Sequence, residues 1–133
     1  MAVLMGGRAA ETLLGEDIST GAADDLAKAT DIARGMVLRF GMDDKLGPVA
    51  WDTEQGQFLN QPGVFWQPRR FSDETAHEID LAVRTHLAGA LNRAIGILQS
   101  NRAALDEGAA ALLAHETLGA EELPKVEAER VAA

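Results

Sequence analysis

Two carboxylates stand side by side at Asp24 and Asp25, and helical geometry sends them in different directions. At about 100° per residue, Ile32 and Met36 fall within roughly 20° of Asp25, and Ala29 lies about 40° away. Asp24 lies about 100° round the cylinder, with Lys28 and Asp31. Asp24 is therefore expected among polar side chains, and Asp25 along an apolar stripe. A carboxylate on an apolar stripe needs a partner, because an unpaired buried charge is strongly disfavoured. Three roles satisfy it: capping its own helix, pairing with a basic residue, or serving as a metal ligand or catalytic carboxylate.

The three histidines fit familiar patterns only in part. His77-Glu78 and His115-Glu116 each open like a zinc-protease helix, but Leu81 and Gly119 stand where the second histidine belongs. Glu74 and His77 make one Glu-x-x-His pair, and di-iron bundles need two with further glutamates. His86 sits on an apolar stripe and reads as a satisfied core histidine. There is no Gly-x-Ser-x-Gly and no Walker-type phosphate loop. With no cysteine in the chain, thiol catalysis, disulfides and thiolate zinc sites drop out.

These residues need elements to hold them. A helix over 2–14 is expected from Ala9, Ala10, Leu13 and Leu14, with Gly6 and Gly7 weakening its beginning and Gly15 stopping it. A second is expected over 21–40, capped by Ser19 or Thr20, with Asp24 and Asp25 complementing the dipole. Its apolar residues run from Leu26 to Phe40, and Gly41 ends it. Pro48, Gly56, Pro62, Gly63 and Pro68 then break the pattern. Residues 49–51 and 57–59 could pair as a small hairpin, followed by an irregular loop over 60–71. Ser72, Asp73 and Glu74 start a long helix over 73–99, a spine roughly 40 Å long. A fourth helix is expected over 102–117 and a short fifth over 121–131, which carries Leu123, Val126 and Val131. The fold class is all-α: a bundle of four to five helices with a small β-hairpin or irregular excursion near 47–67.

Composition narrows the function classes. The 133 residues suit a single domain, 1–133, and 47% hydrophobic with 25% charged residues is ordinary for a globular chain. The net charge is −9 and the isoelectric point about 4.7. That balance argues against nucleic acid and against an anionic membrane surface. No stretch approaches the roughly 20 apolar residues that span a bilayer, so no membrane insertion is expected. The apolar Met1–Met5 lacks a basic leader and does not read as a signal peptide.

One ordered set of short motifs carries a resemblance. Gly6-Gly7-Arg8-Ala9-Ala10-Glu11 is followed by Ser19-Thr20-Gly21-Ala22-Ala23-Asp24-Asp25-Leu26. Ala29-Thr30, Ala33-Arg34, Met36-Val37 and Lys45-Leu46-Gly47-Pro48 come next. Phe58-Leu59, Ser72-Asp73-Glu74-Thr75-Ala76, Glu78-Ile79-Asp80 and Glu116-Thr117-Leu118 complete it. In this order and spacing the chain resembles the FtsH family of membrane-anchored, ATP-dependent zinc metalloproteases. Asp24 departs from a frequent Asn, and Asn60 from a common Gly.

The resemblance implies the later part of a mostly helical peptidase domain, preceded in the family by an AAA ATPase module. It implies a hexameric ring, protein substrates and the cytoplasmic face of a membrane. It makes Asp25 the third zinc ligand and places Glu11 near the metal, behind the ligands. The family's two zinc histidines and catalytic Glu sit in a His-Glu-x-x-His helix that is absent from these 133 residues. One carboxylate does not hold a catalytic zinc, which takes three protein ligands. The chain alone is therefore expected to bind little or no zinc and to cleave nothing. Two roles follow: part of an ATP-dependent zinc protease, or a non-catalytic helical scaffold or oligomerisation module of the same ancestry.

Overall fold

The structure is a computed structural model that describes residues 1–15, 19–52 and 71–126. Among the described residues four α-helices follow in order: α1 (Gly6–Leu14), α2 (Ala23–Leu38), α3 (Asp73–Ser100) and α4 (Arg102–His115). Among the same residues there is no strand, as an all-α class requires. Residues 49–51, one arm of the expected hairpin, are not a strand; 57–59 and 60–70 lie outside the described residues. The backbone amides of Trp51 and Asp52 instead both donate to the Leu38 carbonyl, at 2.8 and 3.0 Å. That contact folds the chain back over the end of α2.

The helix ends follow local chemistry. Ser72 caps α3: its Oγ accepts from the Thr75 amide at 3.2 Å, and Asp73 and Glu74 load the first turn. At 28 residues, α3 is about 42 Å long. Asn101 ends α3 and begins α4, and its side-chain amide donates to the Ile97 carbonyl at 2.9 Å. Gly15 closes α1 at φ 70°. α1 starts at Gly6 rather than residue 2, because Met1–Met5 form a separate turn. α2 ends at Leu38, and the left-handed Gly41 (φ 58°) turns the chain just beyond it. The expected fifth helix over 121–131 is described only to residue 126, and a 3-10 turn, Ala120–Glu122, stands where it would begin.

α3 is the spine, and α1, α2 and α4 each pack on it. Its first half meets α2, where Ala33, Val37 and Leu46 pack with Ile79, Ala82 and Val83. Its second half meets α1, where Met5 and Ala9 join Ala29, Ala90 and Ala94. Met1 and Leu87 touch both clusters and join them. The core is thin and rich in alanine, and Val37 is the largest fully buried side chain among the described residues. Small residues let the helix backbones approach closely, which compensates in dispersion contact for the bulk they lack.

Candidate metal-ligand site

The site is assembled where α1 meets the start of α2. Gly7 and Glu11 are four residues apart and so share one face of α1. Gly7 sits against Ala22: a Cβ at position 7 would lie 3.9 Å from the Ala22 Cβ. One turn along, the Glu11 carboxylate reaches the Ser19 hydroxyl, which donates to its Oε1. Ser19 Oγ in turn accepts from the Gly21 amide at 3.2 Å. The other carboxylate oxygen, Oε2, is buried without a hydrogen bond among the described residues, and Arg8 Nη1 lies 3.5 Å away. Oε2 is therefore ion-paired with Arg8 while Oε1 is held by the Ser19 hydroxyl.

Neither Ser19 nor Thr20 caps α2 as expected. The N-cap is Ala22, which has no side chain for the task, while Ser19 is engaged with Glu11 and the Gly21 amide. Asp24 and Asp25 occupy the first turn of α2, where their charge suits the free amides and the dipole. Asp24 is exposed and Asp25 partly buried, the ordering that the helical angles require. The Asp25 side chain keeps 49% of its surface. Among the described residues its ionic neighbour is Lys28, whose Nζ lies 4.0 Å away on a side chain itself 65% exposed. A pair at that distance and exposure contributes little. The Asp25 carboxylate is thus held on a helix, open on one side, and available. The stripe beside it is also open: Leu26 keeps 39% of its surface, Ile32 45% and Phe40 66%.

The histidines stand apart from Asp25. His77 and His115 are exposed on α3 and α4. His86 is partly buried, but its Nε2 has no hydrogen bond among the described residues and faces Asp43 Oδ2 at 3.7 Å. His86 thus has a carboxylate partner in Asp43 rather than a metal-ligand cluster among the described residues. Asp43 comes from a turn far away in sequence, where its Oδ1 accepts from the amides of Lys45 (3.0 Å) and Leu46 (3.1 Å). Among the described residues no three His, Asp or Glu side chains converge to hold a metal. The donor set among the described residues therefore does not fit a complete zinc site. An apolar groove of about 660 Å³ lies between the end of α3, α4 and residues 118–126, and no ionisable side chain lines it. It offers no acid–base chemistry.

The start of α2 thus presents two first-turn carboxylates, Asp24 and Asp25, and the partly buried Glu11 of α1 is tied to Ser19 just before them. The chain belongs to peptidase family M41, whose sequence model matches residues 1–126. It is 55% identical over 124 residues to the ATP-dependent zinc metalloprotease FtsH of Paraburkholderia phymatum, covering 92% of this chain and 19% of that protein. The protein of the same name in Pseudomonas putida is 47% identical over 127 residues, 96% of this chain and 21% of its own length. That of Methylibium petroleiphilum is 52% identical over 124 residues, 92% and 20%. The chain spans about a fifth of the length of these relatives. No helix among the described residues is long and apolar enough to cross a membrane.

Proposed function

We propose that Asp25 supplies one carboxylate ligand to a catalytic zinc whose remaining ligands come from outside these 133 residues. The observation that carries this is the open Asp25 carboxylate, on the first turn of α2, whose one ionic neighbour among the described residues is the distant, exposed Lys28. A zinc of this kind, when bound, lowers the pKa of a coordinated water and polarises a peptide carbonyl. This chain's own residues hold and orient a ligand. α3 anchors α2 through Ala33 and Val37, and the acidic first turn favours the helix on which Asp25 stands. In the same reading Glu11, tied to Ser19 and flanked by Arg8, stands near the metal behind the ligands, where a carboxylate can orient a metal-bound imidazole.

The names of the relatives support the larger role, ATP-dependent proteolysis with zinc. The family resemblance adds a hexamer at the cytoplasmic face of a membrane, in which an AAA ATPase module delivers protein substrates. The 133 residues alone are inactive in this reading, since no His-Glu-x-x-His occurs among them. The test is a chimera in which this chain replaces the matching segment of the P. phymatum protease, assayed on casein with ATP and zinc. Chelator-sensitive cleavage lost on Asp25→Asn supports the reading, and undiminished cleavage by Asp25→Asn overturns it. The second reading is a non-catalytic oligomerisation module. It is favoured by the open Leu26, Ile32 and Phe40 stripe, and cleavage by the chimera would argue against it.

A further inference from the structure

We infer that Ser19 is a positioning residue for Asp25, carrying the hold of the Glu11 carboxylate across to the turn from which α2 starts. The inference rests on the reading of Asp25 as a metal ligand. Asp25 is the third residue of α2, so its direction is set by where and how firmly that helix begins. Helix beginnings are intrinsically loose, because their first amides lack partners within the helix. The usual remedy is a side-chain cap, and α2 has none, since its N-cap is Ala22. The remedy here lies earlier in the chain. Ser19 Oγ accepts from the Gly21 amide at 3.2 Å, fixing a short turn of the kind that serine hydroxyls form. The same hydroxyl donates to Glu11 Oε1 on α1, a hydrogen bond to a charged acceptor and so stronger than a neutral one.

The hydroxyl thus links a helix anchored in the core to the start of α2. α1 is itself held: Ala9, two residues before Glu11, is fully buried with Ala29, Ala90 and Ala94. Gly7 lies beside Ala22 there, and a Cβ at position 7 would make an ordinary 3.9 Å contact with the Ala22 Cβ. Arg8 Nη1, 3.5 Å from Oε2, flanks the carboxylate at the oxygen that Ser19 leaves free. Threonine at position 19 keeps the hydroxyl and alanine does not, which gives a removal and a rescue.

Two measurements test this. In the intact 133-residue chain, amide exchange at Gly21 is followed by NMR. Ser19→Ala is expected to speed it on the order of tenfold, the loss of one charge-assisted hydrogen-bond network, and Ser19→Thr to restore it. Glu11→Gln is expected to give an intermediate rate. In the P. phymatum chimera, zinc affinity is measured by competition with a chromogenic chelator. Ser19→Ala is expected to weaken it by roughly 10- to 100-fold, as loss of an orienting partner does, with Ser19→Thr close to wild type. Circular dichroism equal to wild type excludes global unfolding as the cause. Unchanged Gly21 exchange in Ser19→Ala would refute the network. Zinc retained by Ser19→Ala but lost by Asp25→Asn would refute positioning while leaving the ligand reading standing. Zinc retained by Asp25→Asn would overturn the ligand reading, and this inference with it.

Discussion

Gly41→Ala and Gly47→Ala form a matched pair that tests the packing of the turn behind α2. Both glycines are left-handed, at φ 58° and 70°. An alanine in that region costs about 1–2 kcal/mol in the folded state, partly offset by about 0.4–1 kcal/mol from a stiffer unfolded chain. That leaves roughly 0.5–1 kcal/mol at either site from conformation alone. The surroundings differ. At position 47 a Cβ meets nothing within 4 Å. At position 41 it would meet Pro48 Cα at 2.9 Å, Pro48 C at 3.0 Å and Val49 N at 3.0 Å, all backbone. Backbone cannot swing aside like the end of a side chain, so the overpacking penalty of about 1–3 kcal/mol applies. Gly41→Ala should therefore be less stable than Gly47→Ala by about 2 kcal/mol. For a chain of this size that is a gap of roughly 6–10 °C in Tm. Urea denaturation followed by circular dichroism, with equal m-values, measures it. Equal costs at the two positions would refute the close approach of Pro48 to Gly41.

Three further outcomes are expected. Ser72→Ala removes the hydroxyl that caps α3 and should lower stability by about 1 kcal/mol, read as a shift in urea midpoint; no shift would mean that the cap is idle. Val37→Ala empties part of a fully buried position and should cost about 2–3 kcal/mol, several times the effect of Leu113→Ala at an 86% exposed site; similar effects would contradict the core assignment. The chain should also run above its 14.1 kDa monomer mass in light scattering, because the Ile32 stripe of α2 lies open, and Ile32→Asp should disperse it; a strict monomer at tens of micromolar would refute this.

The long helices are legible because period and punctuation agree. Ser72-Asp73-Glu74, followed by apolar positions at helical spacing, places α3 to within a residue at each end. The direction of Asp25 is legible for the same reason: a helix angle needs only the sequence. The start of α2 is not. Ser19 and Thr20 look like caps, and nothing local shows that Ser19 is drawn off by Glu11, a contact made only when α1 folds back. The i, i+4 placement of Gly7 and Glu11 on one face is the available hint. The partner of His86 is hidden likewise, because Asp43 arrives from a turn after another helix. The end of the chain misleads differently. Leu123 and Val126 fit a helical period, but Pro124 lacks an amide, and among the described residues of this stretch the helical turn is confined to Ala120–Glu122.

The most direct test of the proposed role of Asp25 is zinc titration by isothermal calorimetry, run side by side on the isolated chain and on the P. phymatum chimera. The isolated chain should show no site. The chimera should bind one zinc per chain, and should lose that site on Asp25→Asn but not on Asp24→Asn. A tight site in the isolated chain, or a chimera whose Asp25→Asn variant holds zinc as firmly as the unsubstituted one, would contradict the assignment.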